Sequence, residues 1–355
     1  MNNTIPIALK AIELLKQLIA IPSFSKEEQG TAYLLQQWFR KEDIIVQRTG
    51  NNIWVKNRFF RKDKPTLMLN SHHDTVKPAK GYTRDPFVAE VSDGKLFGLG
   101  SNDAGASLVS LAVTFLHFYN DDTLPYNLLF AATAEEEISG QNGIASVLPL
   151  LGTIDCAIVG EPTGMQMAVA ERGLLVIDAE TKGISGHAAR GEGVNALYKA
   201  MQDIGWIQGY VFERSSDFLG PVSMQVTAIA TDNTAHNVVP DSCRYTVDIR
   251  LNECYTHEEV LTTIGANVSA AITARSTRLR SSMIALDHPL VVAGSGLGMN
   301  SFGSPTLSDK ALMPFPALKL GPGESARSHT ADEFVYLNEI EAGIMQYIRL
   351  IERIR

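Results

Sequence analysis

The sequence predicts an α/β protein that carries a second, smaller α+β part as an insertion. Before Met167, short apolar segments typical of β-strands alternate with helical segments. The pattern changes near Met167 and changes back near Ser282. A chain of 355 residues also exceeds the size that one hydrophobic core usually supports, so two domains are expected.

The first two helices are predicted by apolar periodicity. Apolar residues recur at helical spacing from Ile7 to Ile19 and stop before Pro22. Ser25 and Glu28 then stand three residues apart ahead of an apolar run, which fits a capping box. We therefore expect both side chains to serve the N-terminus of the second helix.

Strands and a further helix follow in alternation. The helix is predicted at 107–118, and the strands are predicted at 52–56, 66–70, 127–131 and 156–159. Such alternation is typical of a mixed, largely parallel sheet that is buried between helices.

The inserted part has a different order of elements. Its predicted strands are 174–181, 222–230 and 242–251, and its predicted helices are 195–208 and 258–274. A strand at 317–320 and a helix at 337–355 then resume the first pattern. We expect one domain to comprise 1–166 and 283–355, and a small α+β domain to comprise 167–282.

Composition excludes several functional classes. Hydrophobic residues make up 45% and charged residues 20% of the chain, which is typical of a globular protein. The net charge of −8 and the lack of a long basic run argue against nucleic acid as a partner. No apolar run is long enough to cross a membrane, and Lys10, Glu13 and Lys16 interrupt the N-terminal segment, so no membrane partner and no signal peptide are expected.

Cysteine content indicates the compartment. Cys156, Cys243 and Cys254 are too few, and odd in number, for a disulfide framework. The reducing cytoplasm is therefore the expected location.

Ligand-type side chains follow several predicted strands. The segment TLMLNSHHDTVKP leads from an apolar strand directly into His72, His73 and Asp74. Ligands bind at the carboxyl ends of strands in open α/β sheets, so side chains from distant loops can converge there. Imidazole nitrogens and carboxylate oxygens suit zinc, with cobalt or manganese as substitutes. The other candidates for this edge are Asp103, Glu135, Glu136, Glu137, Glu161 and His329.

The three adjacent glutamates 135–137 are open to two interpretations. Three carboxylates directly after a buried strand repel one another, and a divalent cation would supply the missing positive charge. Acidic residues are also favourable at the N-terminus of a helix. The other candidates at the same edge favour the metal interpretation.

Seven spaced motifs carry a resemblance to a known family: SHHDTV, GSNDAG, TAEEEISG, VGEPT, GISGHAA, HNVVPD and SHTADEF. Over nearly its whole length the chain resembles M20-type co-catalytic zinc metallopeptidases, close to the acetylornithine deacetylase and succinyl-diaminopimelate desuccinylase branch. The resemblance implies a zinc-peptidase-like catalytic domain and an inserted dimerisation, or lid, domain that joins two copies in a homodimer.

The resemblance also implies a dinuclear metal site. Asp103 would bridge two zinc ions, which Glu137 and His329 would hold on one side and His72 and Glu161 on the other. The implied ligands are therefore His72, Asp103, Glu137, Glu161 and His329.

Further roles follow from the same resemblance. Asp74 would orient the ring of His72 by binding the ring nitrogen that does not face the metal, and His73 would not be a ligand. Glu136 would act as general base, taking a proton from the attacking water and passing it to the leaving amine. A cis peptide bond between Asp103 and Ala104 is also implied, although family members often have Asp-Met-Lys-Gly where this chain has DAGA.

The inserted domain is expected to supply substrate contacts. His187 would stabilise the oxyanion in the partner's active site, with Asn237 nearby. Arg250 would pair with a substrate carboxylate, and Gly323 lies in a turn similar to one that contacts substrate in the family. As alternatives, His187 could cap a strand, and Arg250 could form a structural salt bridge.

The expected function is hydrolysis of an N-acyl amino acid. An acetyl or succinyl group would be removed from a small amino acid, most simply ornithine or citrulline in arginine biosynthesis. An aminopeptidase or dipeptidase of the same family is the nearest alternative. A non-catalytic metal-binding protein is the alternative of another class, and the presence of Glu136 argues against it.

Overall fold

The computed structural model describes residues 7–354, which form two compact units. The first comprises the described residues up to Val169, then Ile284–Phe302 and the residues from Ser308 onward, and the second comprises Ala170–Met283 and Gly303–Leu307. Residues 1–6 and 355 of the expected domains lie outside the described residues. Within the described chain, no helix is long and apolar enough to span a membrane. The catalytic and lid roles of the two parts remain predictions.

Up to the boundary near Val169, helices and strands alternate. The helices are α1 (Ile7–Ile19), α2 (Gln29–Arg40), α3 (Ala106–Phe118) and α4 (Ile144–Leu151). The strands are β1 (Gln47–Thr49), β2 (Asn52–Lys56), β3 (Thr66–His72), β4 (Glu90–Ser92), β5 (Lys95–Phe97), β6 (Asn127–Thr133), β7 (Cys156–Val159) and β8 (Met167–Glu171).

The second unit follows, and the chain then returns to the first. The second unit contains β9 (Gly173–Lys182), α5 (Ala196–Gly209), β10 (Ser223–Ala230), β11 (Ser242–Leu251), α6 (His257–Gly265), β12 (Ala271–Ala274) and β13 (Ser282–Met283). The return contains α7 (Pro289–Ser295), β14 (Ser301–Ser304), β15 (Ala317–Lys319), β16 (Phe334–Tyr336) and α8 (Leu337–Arg353).

The large sheet has the predicted mixed character. Its strands run in the order β1-β2-β6-β3-β7-β15-β8. The central strands β6, β3, β7 and β15 are parallel, whereas β2 joins β6 in antiparallel sense. His72 lies opposite Thr133 of β6, and Asn70 lies opposite Val159 of β7. The residues that follow these three strands therefore leave the sheet at one edge.

The core of the first unit lies on both faces of this sheet. Helix α3 is buried on nearly all sides, which explains why its sequence lacks a polar stripe. Phe130 of β6 packs against Phe39 of α2 and Phe115 of α3, with ring centroids 5.3 and 6.2 Å apart. This packing fixes the strands whose ends carry the candidate ligands.

The second unit is an antiparallel sheet in the order β10-β11-β9-β12. Its core is formed by apolar residues of these strands together with α5 and α6. The prediction of one helix over 258–274 was wrong, because α6 ends at Gly265 and β12 follows. Buried Asp203 accepts hydrogen bonds from the backbone N–H groups of Ser269 and Ala270, which turns the chain before it pairs with β9.

The predicted capping box of α2 was also wrong. Ser25 donates instead to Asp74 Oδ2, at 2.7 Å. Glu28 is fully buried, and its carboxylate accepts hydrogen bonds from the backbone N–H groups of Lys26 and Glu135 and from the Asn51 amide. Both side chains serve the loops beyond β3 and β6, because those loops offer buried donors and acceptors that have to be satisfied.

Candidate metal centre and active site

His72 is the last residue of β3 and is almost fully buried. Its Nδ1 atom lies 3.0 Å from the Asp74 carbonyl oxygen and 3.4 Å from Asp74 Oδ1. Its Nε2 atom lies 3.3 Å from Asp103 Oδ1 and 3.7 Å from Glu161 Oε1. Asp74 therefore holds one side of the ring, and the other ring nitrogen faces two carboxylates.

Asp103 lies between the two candidate histidines. It belongs to the turn Ser101–Gly105, and the peptide bond to Ala104 is cis, which confirms that prediction. Its Oδ1 atom faces His72, and its Oδ2 atom lies 3.7 Å from His329 Nε2. Each carboxylate oxygen thus points towards a different imidazole.

Two glutamates of the segment after β6 complete the cluster. Both oxygens of Glu137 lie within 3.2 Å of His329 Nε2. Glu136 Oε2 lies 3.9 Å from His72 Nε2. The structure therefore brings all five predicted ligands and Glu136 to one place. Two overlapping groups have potential ligand atoms that all lie within 4.8 Å of one another. One group is His72, Asp103 and Glu137, and the other is His72, Glu136 and Glu161.

The electrostatics of the cluster fit a divalent cation. Burial raises the pKa of Glu136 well above its usual value and that of Glu161 to about 8. Burial opposes a charge on His72, but its hydrogen bonds to Asp103 and Asp74 outweigh burial and raise its pKa well above the usual value. The hydrogen bond to Glu137 raises the pKa of His329 to about 9. The raised pKa values of these carboxylates and imidazoles indicate that the site favours added positive charge, which a divalent cation would supply. Oxygen and imidazole donors are a set that zinc accepts.

Asp74 contacts more than the histidine. Its carboxylate accepts hydrogen bonds from the backbone N–H groups of Glu136 and Glu137, at 3.1 and 3.2 Å. Ser25 donates to the same carboxylate. The pKa of Asp74 is lowered although burial opposes this, because His72 and Ser25 hydrogen-bond to its ionised form. One side chain thus fixes both the ring of His72 and the segment that carries Glu136.

His73 points into the protein and away from the ligands. Its Nδ1 atom lies 2.9 Å from Thr31 Oγ1, and its Nε2 atom lies 2.9 Å from the Asn51 carbonyl oxygen. Burial lowers its pKa to about 4, so it is neutral at physiological pH. These contacts agree with the expectation that His73 is not a ligand.

Sequence reasoning missed Asp309. This buried carboxylate accepts a hydrogen bond of 2.6 Å from Thr133 Oγ1, and Thr133 lies two residues before the first of the three glutamates. Burial raises its pKa to about 6. Asp309 follows no predicted strand. The sequence shows only an acidic residue between the polar residues Ser308 and Lys310, and this pattern is too common to indicate a site.

The candidate oxyanion residues lie in the second unit. His187 and Asn237 belong to neighbouring exposed loops, joined by a hydrogen bond of 2.9 Å from the Ala188 N–H to the Asn237 carbonyl oxygen. His187 Nδ1 accepts a hydrogen bond from the Ala189 N–H. The predicted proximity of the two residues is therefore present within this unit.

Arg250 and Gly323 have structural partners. Arg250 forms two hydrogen bonds with Asp248, at 2.7 and 3.0 Å. Gly323 has a φ of +89°, and a Cβ atom there would lie 2.4 Å from Asn102 Oδ1. A glycine is required at this position by its conformation and by the close approach of Asn102.

Comparison with known proteins supports this description. The model of the peptidase family M20/M25/M40 matches residues 68–353. Succinyl-diaminopimelate desuccinylase 2 of Ruegeria sp. (strain TM1040) is 28% identical over 285 residues, which cover 74% of this chain and 71% of the relative.

Solved structures share the fold over nearly the whole chain. Aminopeptidase PepT from Bacillus cereus ATCC 10987 has a TM-score of 0.77 at 18% identity, and 98% of each chain is covered. YXEP of Bacillus subtilis, described as a dinuclear metal binding peptidase, has a TM-score of 0.71 at 16% identity, and 97% of each chain is covered. At these identities the two structures show a common fold and not a common substrate.

The pKa shifts predict how the metal-free protein responds to pH. Folding raises the pKa of Glu161 from 4.5 to about 8 and that of His329 from 6.5 to about 9, so the folded state binds both protons more tightly than the unfolded chain does. Stability of chelator-treated protein should therefore fall as pH rises from about 6 to about 9. Thermal unfolding across this range measures the effect.

Added zinc serves as the control for this pH series. It should raise the unfolding midpoint, and it should do so most at the high-pH end, where the carboxylates are ionised. A metal-free midpoint that is constant or increases with pH would contradict this account of the site.

Proposed function

Because the chain belongs to the peptidase family M20/M25/M40 and is a hydrolase of that family, we propose that it removes an acetyl or succinyl group from the nitrogen of a small amino acid. The observation that carries the proposal is the position of Glu136. Its carboxylate is largely buried and lies beside the candidate ligands, 3.9 Å from His72 Nε2, and burial raises its pKa well above the usual value. A metal-binding protein without activity would have no need of such a group.

We propose that two divalent cations, most simply zinc with cobalt or manganese as substitutes, occupy this cluster. Asp103 would contribute to both positions, with His72 and Glu161 on one side and Glu137 and His329 on the other. When bound, the cations supply Lewis acidity that polarises the amide carbonyl and lowers the pKa of water at the site.

Side chains of the protein then carry out and support the proton transfer. Glu136 accepts a proton from the attacking water and donates it to the leaving nitrogen. The Asp74 carboxylate accepts a hydrogen bond from the backbone N–H of Glu136. This bond keeps the Glu136 side chain next to the candidate ligands. Glu137 makes its contacts with His329 and leaves Glu136 free for proton transfer.

We infer that the second unit completes the site in a homodimer. His187 and Asn237 lie on exposed loops, so they are available to stabilise an oxyanion in another subunit. Ile184 is 62% exposed and Val238 is 39% exposed next to these loops. Apolar side chains of this exposure beside two polar candidates suit a contact with a second copy of the chain.

The substrate proposal rests on the relatives and on the sequence. Ornithine and citrulline derivatives are the expected substrates, with a role in arginine biosynthesis, and the name of the Ruegeria relative adds N-succinyl-diaminopimelate. We propose that Arg250 leaves Asp248 to bind a substrate carboxylate and that the turn at Gly323 contacts the substrate. The three cysteines are free thiols, which supports a cytoplasmic enzyme.

A substrate panel tests the activity. Release of free amino acid is measured from N-acetyl- and N-succinyl-ornithine, the corresponding citrullines and N-succinyl-diaminopimelate, using protein stripped by chelator and then reconstituted with zinc. We expect metal-dependent release from at least one compound. Turnover of dipeptides alone would favour the aminopeptidase or dipeptidase, and no turnover of any amide with metal bound would overturn the proposal.

Replacement of Glu136 separates chemistry from metal binding. Glu136→Gln should lower kcat about a hundred- to ten-thousandfold, because the proton acceptor is lost. Metal content, measured on the same samples, should not change. Glu135→Gln is the matched control, since the Glu135 carboxylate bonds to Asn142 and not to the ligands. Equal losses in both variants would show that Glu136 has no special role.

A mixed dimer tests whether His187 acts in the other subunit. Chains carrying His187→Ala and chains carrying Glu136→Gln are co-expressed with different tags, and the heterodimer is purified. The His187→Ala chain keeps its base and receives an intact His187 from its partner. We therefore expect roughly half of the wild-type activity per dimer, while both mutant homodimers stay inactive. An inactive heterodimer would place the action of His187 within its own chain.

A further inference from the structure

The carboxylate of Glu333 joins two ligand-bearing segments that are far apart in the chain. Glu333 is 2% exposed, and three backbone N–H groups donate to it at 2.9 Å each. Gly100 donates to Oε2, and Asn102 and Asp103 donate to Oε1. The Glu333 carbonyl oxygen also accepts the Gly98 N–H, at 3.0 Å.

The turn that these bonds hold is irregular. Gly100 has a φ of +73°, and Asp103 and Ala104 have non-helical angles within Ser101–Gly105. The N–H groups of Gly100, Asn102 and Asp103 point to one side chain and not to neighbouring backbone. Buried N–H groups of this kind need an acceptor, and Glu333 supplies it for all three.

The same residue belongs to the segment that presents His329. His329 and Asp332 both have positive φ, at +58° and +54°, so this segment is a defined turn. The Asp332 carboxylate accepts hydrogen bonds from Thr83 and from the Arg84 backbone N–H. Glu333 therefore links the His329 segment directly to the Asp103 turn.

Asn102 makes a second link between the two segments. Its amide nitrogen donates to the Glu324 carbonyl oxygen and its Oδ1 atom accepts the Glu324 N–H, both at 3.0 Å. Ser328, next to His329, lies 3.3 Å from the same amide nitrogen. The two links flank the pair formed by Asp103 Oδ2 and His329 Nε2, which are 3.7 Å apart.

We propose that Glu333 is a positioning residue that sets the distance and orientation of Asp103 relative to His329, and thereby the affinity of one of the two cation positions. The inference rests on the proposed metal-dependent function. It assigns no contact with substrate or cation to Glu333. Its effect is transmitted through the backbone of the Asp103 turn and through the His329 segment.

The test is Glu333→Gln, an isosteric change. The amide keeps one oxygen acceptor but turns an NH₂ group towards backbone N–H groups, so the turn loses part of its support. Binding of zinc to metal-free protein is measured by calorimetry, and the environment of cobalt by its visible absorption. We expect the affinity of the position next to His329 to fall about ten- to hundredfold with a changed cobalt spectrum, and the position next to His72, which shares Asp103, to lose less affinity.

Asp332→Asn is the matched control, because Asp332 anchors the same segment through backbone N–H groups but does not contact the Asp103 turn. It should leave both affinities and the cobalt spectrum unchanged. Equal losses in both variants, or unchanged affinities in Glu333→Gln, would overturn the inference. If Glu333→Gln does not fold, Glu333→Asp, which keeps the charge but shortens the reach to the three N–H groups, is held to the same criteria.

The wild-type titration separates this inference from the proposed function. Wild-type protein that fails to bind two cations would contradict the proposed function itself. Wild-type protein that binds two, together with an unaltered Glu333→Gln variant, would contradict only the role of Glu333.

Discussion

Repulsion among largely buried carboxylates at the end of the parallel central strands is the constraint on which the rest of the structure depends. Asp103, Glu136, Glu137 and Glu161 lie around two imidazoles, and burial raises the pKa of Glu136 and Glu161. Such a cluster persists only if the strands and turns that carry it are rigid. Parallel strands that are buried on both faces supply that rigidity, and bound cations would remove the repulsion.

The segments beyond the strands are held by a second set of acidic residues. Asp74 accepts the backbone N–H groups of Glu136 and Glu137, Glu28 accepts that of Glu135, and Glu333 accepts those around Asp103. Backbone donors satisfy these carboxylates, so none of them needs a lysine or arginine side chain as its partner. Lys319 does act on the cluster, because its charge lowers the pKa of Glu161 against the effect of burial. The residues that position the ligand-bearing segments are thus different from those that would bind the cations.

Much of the fold and of the candidate site could be predicted from the sequence, because the periodicity of a strand is a local pattern. The strands that end near His72, Thr133 and Val159 were found to within a few residues, and the strand-end rule placed their ligands together. Ser25 and Glu28 were misjudged because a capping box and a buried acceptor for distant loops have the same sequence pattern. Asp309 was missed, and the part of Glu333 in the site was not foreseen, since both act through contacts with residues far away in the chain. The strand β12 was missed because tertiary pairing with β9 overrides the apparent helical spacing there.

The most direct test of the central claim is the position of the cations in a crystal of the zinc-loaded protein. Anomalous diffraction at the zinc absorption edge locates them independently of any assay. The account predicts two peaks that share Asp103, one next to His72 and Glu161 and the other next to Glu137 and His329. A single peak, or peaks away from Asp103, would contradict the account of a dinuclear site built on this carboxylate cluster.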